Sequence, residues 1–135
     1  MSESRAPVSI SHIDHVVFTV ADIDATIEFY ERVLGMRAVT FGEGRRALEF
    51  GPNKINLHQA GKEFLPHAES PTPGSVDLCL ITGIPLDRFV AHLEAAGVGI
   101  EEGPVTRTGA TGPILSVYIR DPDSNLIEIS TYDGL

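Results

Sequence analysis

The sequence predicts an α+β fold made of two consecutive βαβββ modules. Three observations carry this reading. The order strand, helix and three short strands can be read twice along the chain. Two amphipathic helical stretches each stop at a glycine, Gly35 and Gly97. The two halves also overlay at nearly constant offsets. With an offset of 62, His15 falls on Asp77, Leu34 on Ala96 and Gly35 on Gly97. With an offset of 70, Phe50-Gly51-Pro52-Asn53 falls on Arg120-Asp121-Pro122-Asp123, and Leu57-His58 falls on Ile127-Glu128.

Each element has a local cause. Residues 1–10 carry Ser, Glu, Arg and Pro without periodicity and read as a flexible leader before a domain spanning 11–132. The run from His15 to Val20 is β-branched and aromatic, a strand. Asp22 offers an N-cap, and Ile23, Ile27, Tyr30 and Leu34 recur at helical spacing up to the C-cap Gly35. Met36–Phe41, Arg46–Phe50 and Lys54–Gln59 are three short strands separated by Gly- and Pro-containing turns. They close module one, residues 11–59. Residues 60–75 hold Pro66, Pro71, Pro73 and two glycines and read as a linker. Module two, residues 76–132, repeats the order. It has a strand at Val76–Ile81, a helical stripe of Leu86, Phe89, Val90, Leu93 and Ala96, and strands at Val98–Glu101, Ile114–Arg120 and Asn125–Ser130. The Gly-, Thr- and Pro-rich stretch between Glu102 and Pro113 reads as a long mobile loop.

Composition bounds the function. The 135 residues are 42% hydrophobic and 21% charged, values of a chain able to bury one core. Ten basic residues against nineteen acidic ones give a formal charge of -9, which argues against nucleic acid or an anionic membrane as partner. No apolar run is long enough for a membrane span, and the N-terminus lacks a signal-type core, so a cytoplasmic location is expected. The single cysteine, Cys79, excludes an intrachain disulfide or a Cys-based zinc site, and its strand setting reads as core.

The repeat exposes a chemical constellation. His15 and Asp77 occupy matching positions on the first strands, and His58 and Glu128 matching positions on the last. A carboxylate alternating with Leu and Ile on a half-buried strand ordinarily faces solvent. A carboxylate facing inward needs a partner, because a buried unpaired charge costs several kcal/mol. Two imidazoles and two carboxylates at symmetry-matched positions make an N₂O₂ donor set of charge about -2, which a divalent cation neutralises. His12 and Asp14, beside His15, suit a supporting or surface role, and His67 and His92 read as exposed.

The segments His12-Ile13-Asp14-His15-Val16, Phe29-Tyr30 through Leu34-Gly35, and Asp121-Pro122-Asp123-Ser124-Asn125-Leu126-Ile127-Glu128 resemble the vicinal oxygen chelate superfamily. That superfamily holds glyoxalases, bleomycin- and fosfomycin-resistance proteins and extradiol dioxygenases. Lys54–Gln59 together with Gly61-Lys62-Glu63-Phe64 further resembles the branch of glyoxalase domain-containing protein 5 and the "virulence protein". The resemblance implies paired modules curled into an open barrel around a divalent metal (Ni, Zn, Mn, Mg or Fe), with His15, His58, Asp77 and Glu128 as its ligands. It also implies a homodimer and metal-stabilised enediolate proton transfer on a small substrate with adjacent oxygens. Glutathione or another thiol would be the co-substrate in glyoxalase chemistry. The pattern departs from glyoxalases in carrying His where they carry Glu or Gln, and Asp where they carry His.

Glu128 is the expected proton-transfer base, with Asp77 second. Tyr118, Arg120 and Arg107 are expected to bind substrate. Rival readings are an Fe(II) dioxygenase using two His and one carboxylate, a ligand-sequestering protein without enzymatic activity, and a thiol transferase acting on an epoxide.

Overall fold

The side chain of Asp22 accepts a hydrogen bond from the Ala25 amide, which starts α1 (Ile23–Leu34) directly after β1 (His15–Val20). Gly35, at φ 67°, closes the helix in the left-handed conformation that only glycine adopts freely. Three strands follow: β2 (Arg37–Phe41), β3 (Arg45–Phe50) and β4 (Asn53–Gln59). The second module runs β5 (Asp77–Ile81), α2 (Leu86–Ala95), β6 (Glu102–Gly109), β7 (Gly112–Arg120) and β8 (Leu126–Thr131). The structure is a computed structural model that describes residues 6–134. The first five residues of the expected leader lie outside the described residues.

Each module forms one four-stranded sheet, in the orders β1-β4-β3-β2 and β5-β8-β7-β6. The first strand pairs parallel to the last, and the other pairings are antiparallel. This is the expected α+β architecture.

The second module departs from expectation at one strand. The predicted strand at Val98–Glu101 and the predicted mobile loop from Glu102 to Pro113 are replaced by β6, paired with the start of β7 across a tight turn at Ala110 and Thr111. The stretch Val105-Thr106-Arg107-Thr108 alternates half-buried and exposed positions, a period of two that its Gly and Pro neighbours obscured. Arg107 therefore sits on a strand.

Alternation places the core. Phe18 and Val20 of β1, Leu48 of β3, and Ile55 and Leu57 of β4 join Ile27, Tyr30 and Val33 of α1. The same cluster continues through Leu86 and Leu93 of α2 to Val117, Ile119, Ile127 and Ile129. The helices touch each other: Arg32 donates to the Ala96 carbonyl at 2.9 Å, and the His92 ring meets the Val33 carbonyl at 2.9 Å. Because both helices serve one core, the alternate residues of both sheets lie on faces that no helix covers.

A buried polar knot ties the modules together. Asp121 accepts from the Tyr30 hydroxyl at 2.6 Å, from the Asn125 side chain at 2.9 Å, and from the amides of Asp123 and Asn125. Four donors satisfy this buried carboxylate. Burial and the neighbouring Asp121 charge hold the Tyr30 phenol far above its ordinary pKa, so it remains a donor.

Candidate functional site

Strand register decides which side chains share the helix-free faces. In the first sheet, His15 stands opposite Lys54, Val17 opposite Asn56, and Thr19 opposite His58. In the second, Asp77 stands opposite Leu126 and Cys79 opposite Glu128. Matching row to row, His15 corresponds to Asp77 as expected. The counterpart of Glu128 is Asn56, because Lys54 aligns with Leu126 at an offset of 72. The turn from β7 to β8 is longer than that from β3 to β4: Arg120 pairs with Leu126, whereas Glu49 pairs with Lys54. His58 lies on the same face as Asn56, one row further along.

The second sheet builds the more developed half of the site. Tyr118, Glu128 and Cys79 stand in one row across three strands. Glu128 Oε2 accepts the Ser116 hydroxyl at 2.6 Å, and Ser130 lies 3.3 Å from the same oxygen. Both serines are fully buried, and their hydroxyls are 2.6 Å apart. The half-buried Glu128 is thus held by one oxygen. It lines a cleft of about 400 Å³ with Cys79, Arg107, Ile114, Tyr118 and Tyr132. Arg107 donates to the Tyr118 hydroxyl at 3.0 Å and also pairs with Glu102. Arg120 sits in the next row and is engaged elsewhere, with both Glu101 oxygens and the Ser124 carbonyl. Asp77 is exposed at the first position of β5.

Cys79 is not a core residue. Strand parity puts it on the open side, exposed, with Ser130 at 3.3 Å. Partial desolvation by the surrounding strands raises its thiol pKa and the nearby Glu128 charge adds to this, against the Ser130 hydrogen bond, so the thiol stays protonated near neutrality.

The first sheet contributes two histidines with different surroundings. His15 is partly exposed, and its Nδ1 pairs with Asp14 Oδ2 at 2.8 Å. This leaves Nε2 facing outward, the carboxylate–imidazole arrangement found behind metal-bound histidines. Asp14 is the supporting carboxylate, held below its usual pKa chiefly by its hydrogen bond to His15. His58 is buried, only 2% exposed, and its Nε2 lies 3.3 Å from the Arg45 guanidinium. Burial, and then the Arg45 charge, push its pKa down, with Glu63 opposing. A neutral His58 that accepts from Arg45 at Nε2 carries its proton on Nδ1, and that atom is buried without a partner. The Oδ1 of buried Asn56 is likewise unpartnered.

Among the described residues, no three His, Cys, Asp or Glu side chains of one chain could hold a metal ion together. His15 belongs to one open face, and Asp77 and Glu128 to the other. His67 is exposed in the linker, as expected. His92 is exposed on α2 but is tied to α1 through its ring. The sequence reading missed Ser116, Ser130, Asn56, Arg45 and Lys54. Strand parity contained a signal for the serines, since Ser130 shares the face of Glu128. Asn56 needed the register.

No helix among the described residues is long and apolar enough to cross a membrane. The model of the Glyoxalase/Bleomycin resistance protein/Dioxygenase superfamily matches residues 12–129. The chain is 62% identical over 123 residues to virulence protein STM3117 of Salmonella typhimurium, covering 91% of this chain and 85% of that protein. It is 57% identical over 125 residues to the glyoxalase domain-containing protein RDO1 of Mycosarcoma maydis, covering 93% and 70% of the two chains. The solved structure of an integron cassette protein from the mobile metagenome of V. cholerae superposes with a TM-score of 0.92 at 61% identity, covering 93% of this chain and 98% of that one. The match over nearly the whole chain and the repeated βαβββ topology agree: this protein belongs to the Glyoxalase/Bleomycin resistance protein/Dioxygenase superfamily.

Proposed function

We propose that the protein is a divalent-metal-dependent enzyme of the glyoxalase type, a lyase or isomerase acting on a small substrate with adjacent oxygens. The observation that carries this reading is the hold on Glu128. Two buried hydroxyls occupy one carboxylate oxygen and leave the other for the cleft. His15 supports it in the same manner, with Asp14 on Nδ1 and Nε2 left outward. One imidazole and two carboxyl groups, from His15, Asp77 and Glu128, suit a divalent cation by donor type and charge. Bound there, the cation supplies Lewis-acid polarisation of the two substrate oxygens.

His58 is left out of the donor set, since Arg45 engages its Nε2 and the row matching Glu128 holds Asn56. The two-histidine iron reading thereby loses its second imidazole. Because His15 lies on one open face and the two carboxylates on the other, the set closes when a second copy lays its first sheet over the second sheet of this one. A homodimer with two sites follows.

The residues of this chain then divide the work. Glu128 Oε1 takes a proton from the carbon beside a carbonyl and returns it to the neighbouring carbon. Ser116 and Ser130 keep the carboxylate from rotating. Tyr118, steadied by Arg107, offers its hydroxyl to substrate from the same row as Glu128. The thiol co-substrate of glyoxalase chemistry belongs to this reading as well.

The test is metal analysis after loading with Ni, Zn or Mn, followed by an assay with the hemithioacetal of methylglyoxal and glutathione. Lactoylglutathione should form, and Glu128→Gln and His15→Ala should each lose metal and turnover. Full metal occupancy in both variants would overturn the assignment. Metal binding without product would remove the glyoxalase chemistry.

A further inference from the structure

The geometry points to an anion-recognition site on the open face of β3 and β4, built by Arg45 and Lys54, for a carboxylate or phosphate-type group on the substrate. It rests on the reading above only in taking this face as part of the catalytic cavity. The charge pattern comes first. In a chain of net charge -9, Arg32, Arg37, Arg107 and Arg120 all pair with carboxylates. Among the described residues Arg45, Arg46, Lys54, Lys62 and Arg88 pair with no carboxylate, and of these Arg45 and Lys54 meet over one ring, Phe41. Glu49, directly opposite Lys54, is bonded to Arg37 instead.

Aromatic rings hold the two cations in place. The Arg45 guanidinium carbon lies 5.2 Å from the Phe41 ring centre and 4.7 Å from that of Phe64, and Lys54 Nζ lies 3.9 Å from the Phe41 centre. Rings fix a guanidinium plane without neutralising it, so the N–H groups of Arg45 other than the one facing His58 remain free for an oxyanion.

The polar atoms beside them are unfinished. His58 Nδ1 and Asn56 Oδ1 are buried without partners, in residues only 2% and 6% exposed. An unmet buried donor costs about 1–3 kcal/mol, and a ligand oxygen offsets that cost where the protein supplies none. The Asn56 amide, turned over, presents a donor to the same oxygen. Lys54 stands opposite His15 in register, which puts the anion beside the imidazole assigned to the metal. The substrate is therefore acidic, carrying a carboxylate or a phosphoryl or phosphonyl group besides its adjacent oxygens.

The test uses metal-free protein, so its outcome is independent of the metal assignment. Inorganic phosphate and acetate are titrated separately by calorimetry, while the His58 ring resonances are followed by NMR. At least one anion should saturate one site per chain and move the His58 signals. Arg45→Gln should weaken it about tenfold and Lys54→Gln by a smaller factor. Arg45→Lys, which keeps the charge but not the fork, should fall between. Arg88→Gln, on the distant α2, should bind as the parent does. Phosphate binding alone assigns a phosphoryl or phosphonyl group, acetate binding alone a carboxylate. Absence of saturable binding up to about 50 mM of either anion, or equal binding by Arg45→Gln, overturns the proposal.

Discussion

Tyr30→Phe tests how the two modules are joined. The substitution removes one oxygen and leaves the ring in place, so apolar packing against Phe18 and Phe29 persists. What is lost is a 2.6 Å hydrogen bond from a fully buried phenol to Asp121, which is 5% exposed. Hydrogen bonds to charged groups contribute about 1.5–3 kcal/mol, and no bulk water reaches this carboxylate to replace the donor. Asp121 keeps three N–H donors, so the expected loss is about 2 kcal/mol rather than the larger cost of an abandoned charge. With an unfolding entropy near 2 cal/mol/K per residue, 135 residues give about 0.28 kcal/mol/K, and Tm should fall by about 7 °C. Urea unfolding should show a midpoint lowered by about 1 M with an unchanged slope. Asp121→Asn measured alone and with Tyr30→Phe gives the coupling, expected at about 1–2 kcal/mol. A Tm shift below about 2 °C, or additive variants, would refute the claim that this contact fastens the modules.

Two further perturbations follow from the same coordinates. Gly103→Ala should destabilise by about 3 kcal/mol or more in denaturant unfolding, because the backbone has φ 106° and a Cβ would collide with the Ser116 carbonyl oxygen. Under the proposed metal reading its affinity for the cation should fall as well, since Ser116 holds Glu128. Asp123 has a raised pKa, mainly from burial and also from Asp121 and Asp22, against the lowering effect of the Ala21 amide. A raised folded-state value means that ionisation opposes folding above the unfolded-state value near 4 and has no effect below it. Asp123→Asn keeps an acceptor for the Ala21 amide and should be more stable than the parent at pH 7. That advantage should vanish as the pH drops below about 4. An advantage independent of pH would contradict this account.

The sequence by itself determined what depends on neighbours along the chain. Asp22 and Gly35 marked the ends of α1, because capping is a property of four or five consecutive residues. Alternation placed Glu128 and Ser130 on the face away from Ile127 and Ile129, because the pleat has a period of two. It also contained the repeat, and with it the order of both modules. The strand over Glu102–Gly109 escaped because its Gly and Pro residues read as loop, while its pairing with β7 supplied the ladder.

Only the tertiary structure decided the register. A turn of different length moves the partner of every later residue, so the overlay placing His58 on Glu128 gave way to one placing Asn56 there. The two faces separating His15 from the carboxylates, the serines behind Glu128 and the guanidinium beside His58 are likewise contacts across strands. No spacing along a single chain encodes them, because they arise from which strand edges meet once the shared core has formed.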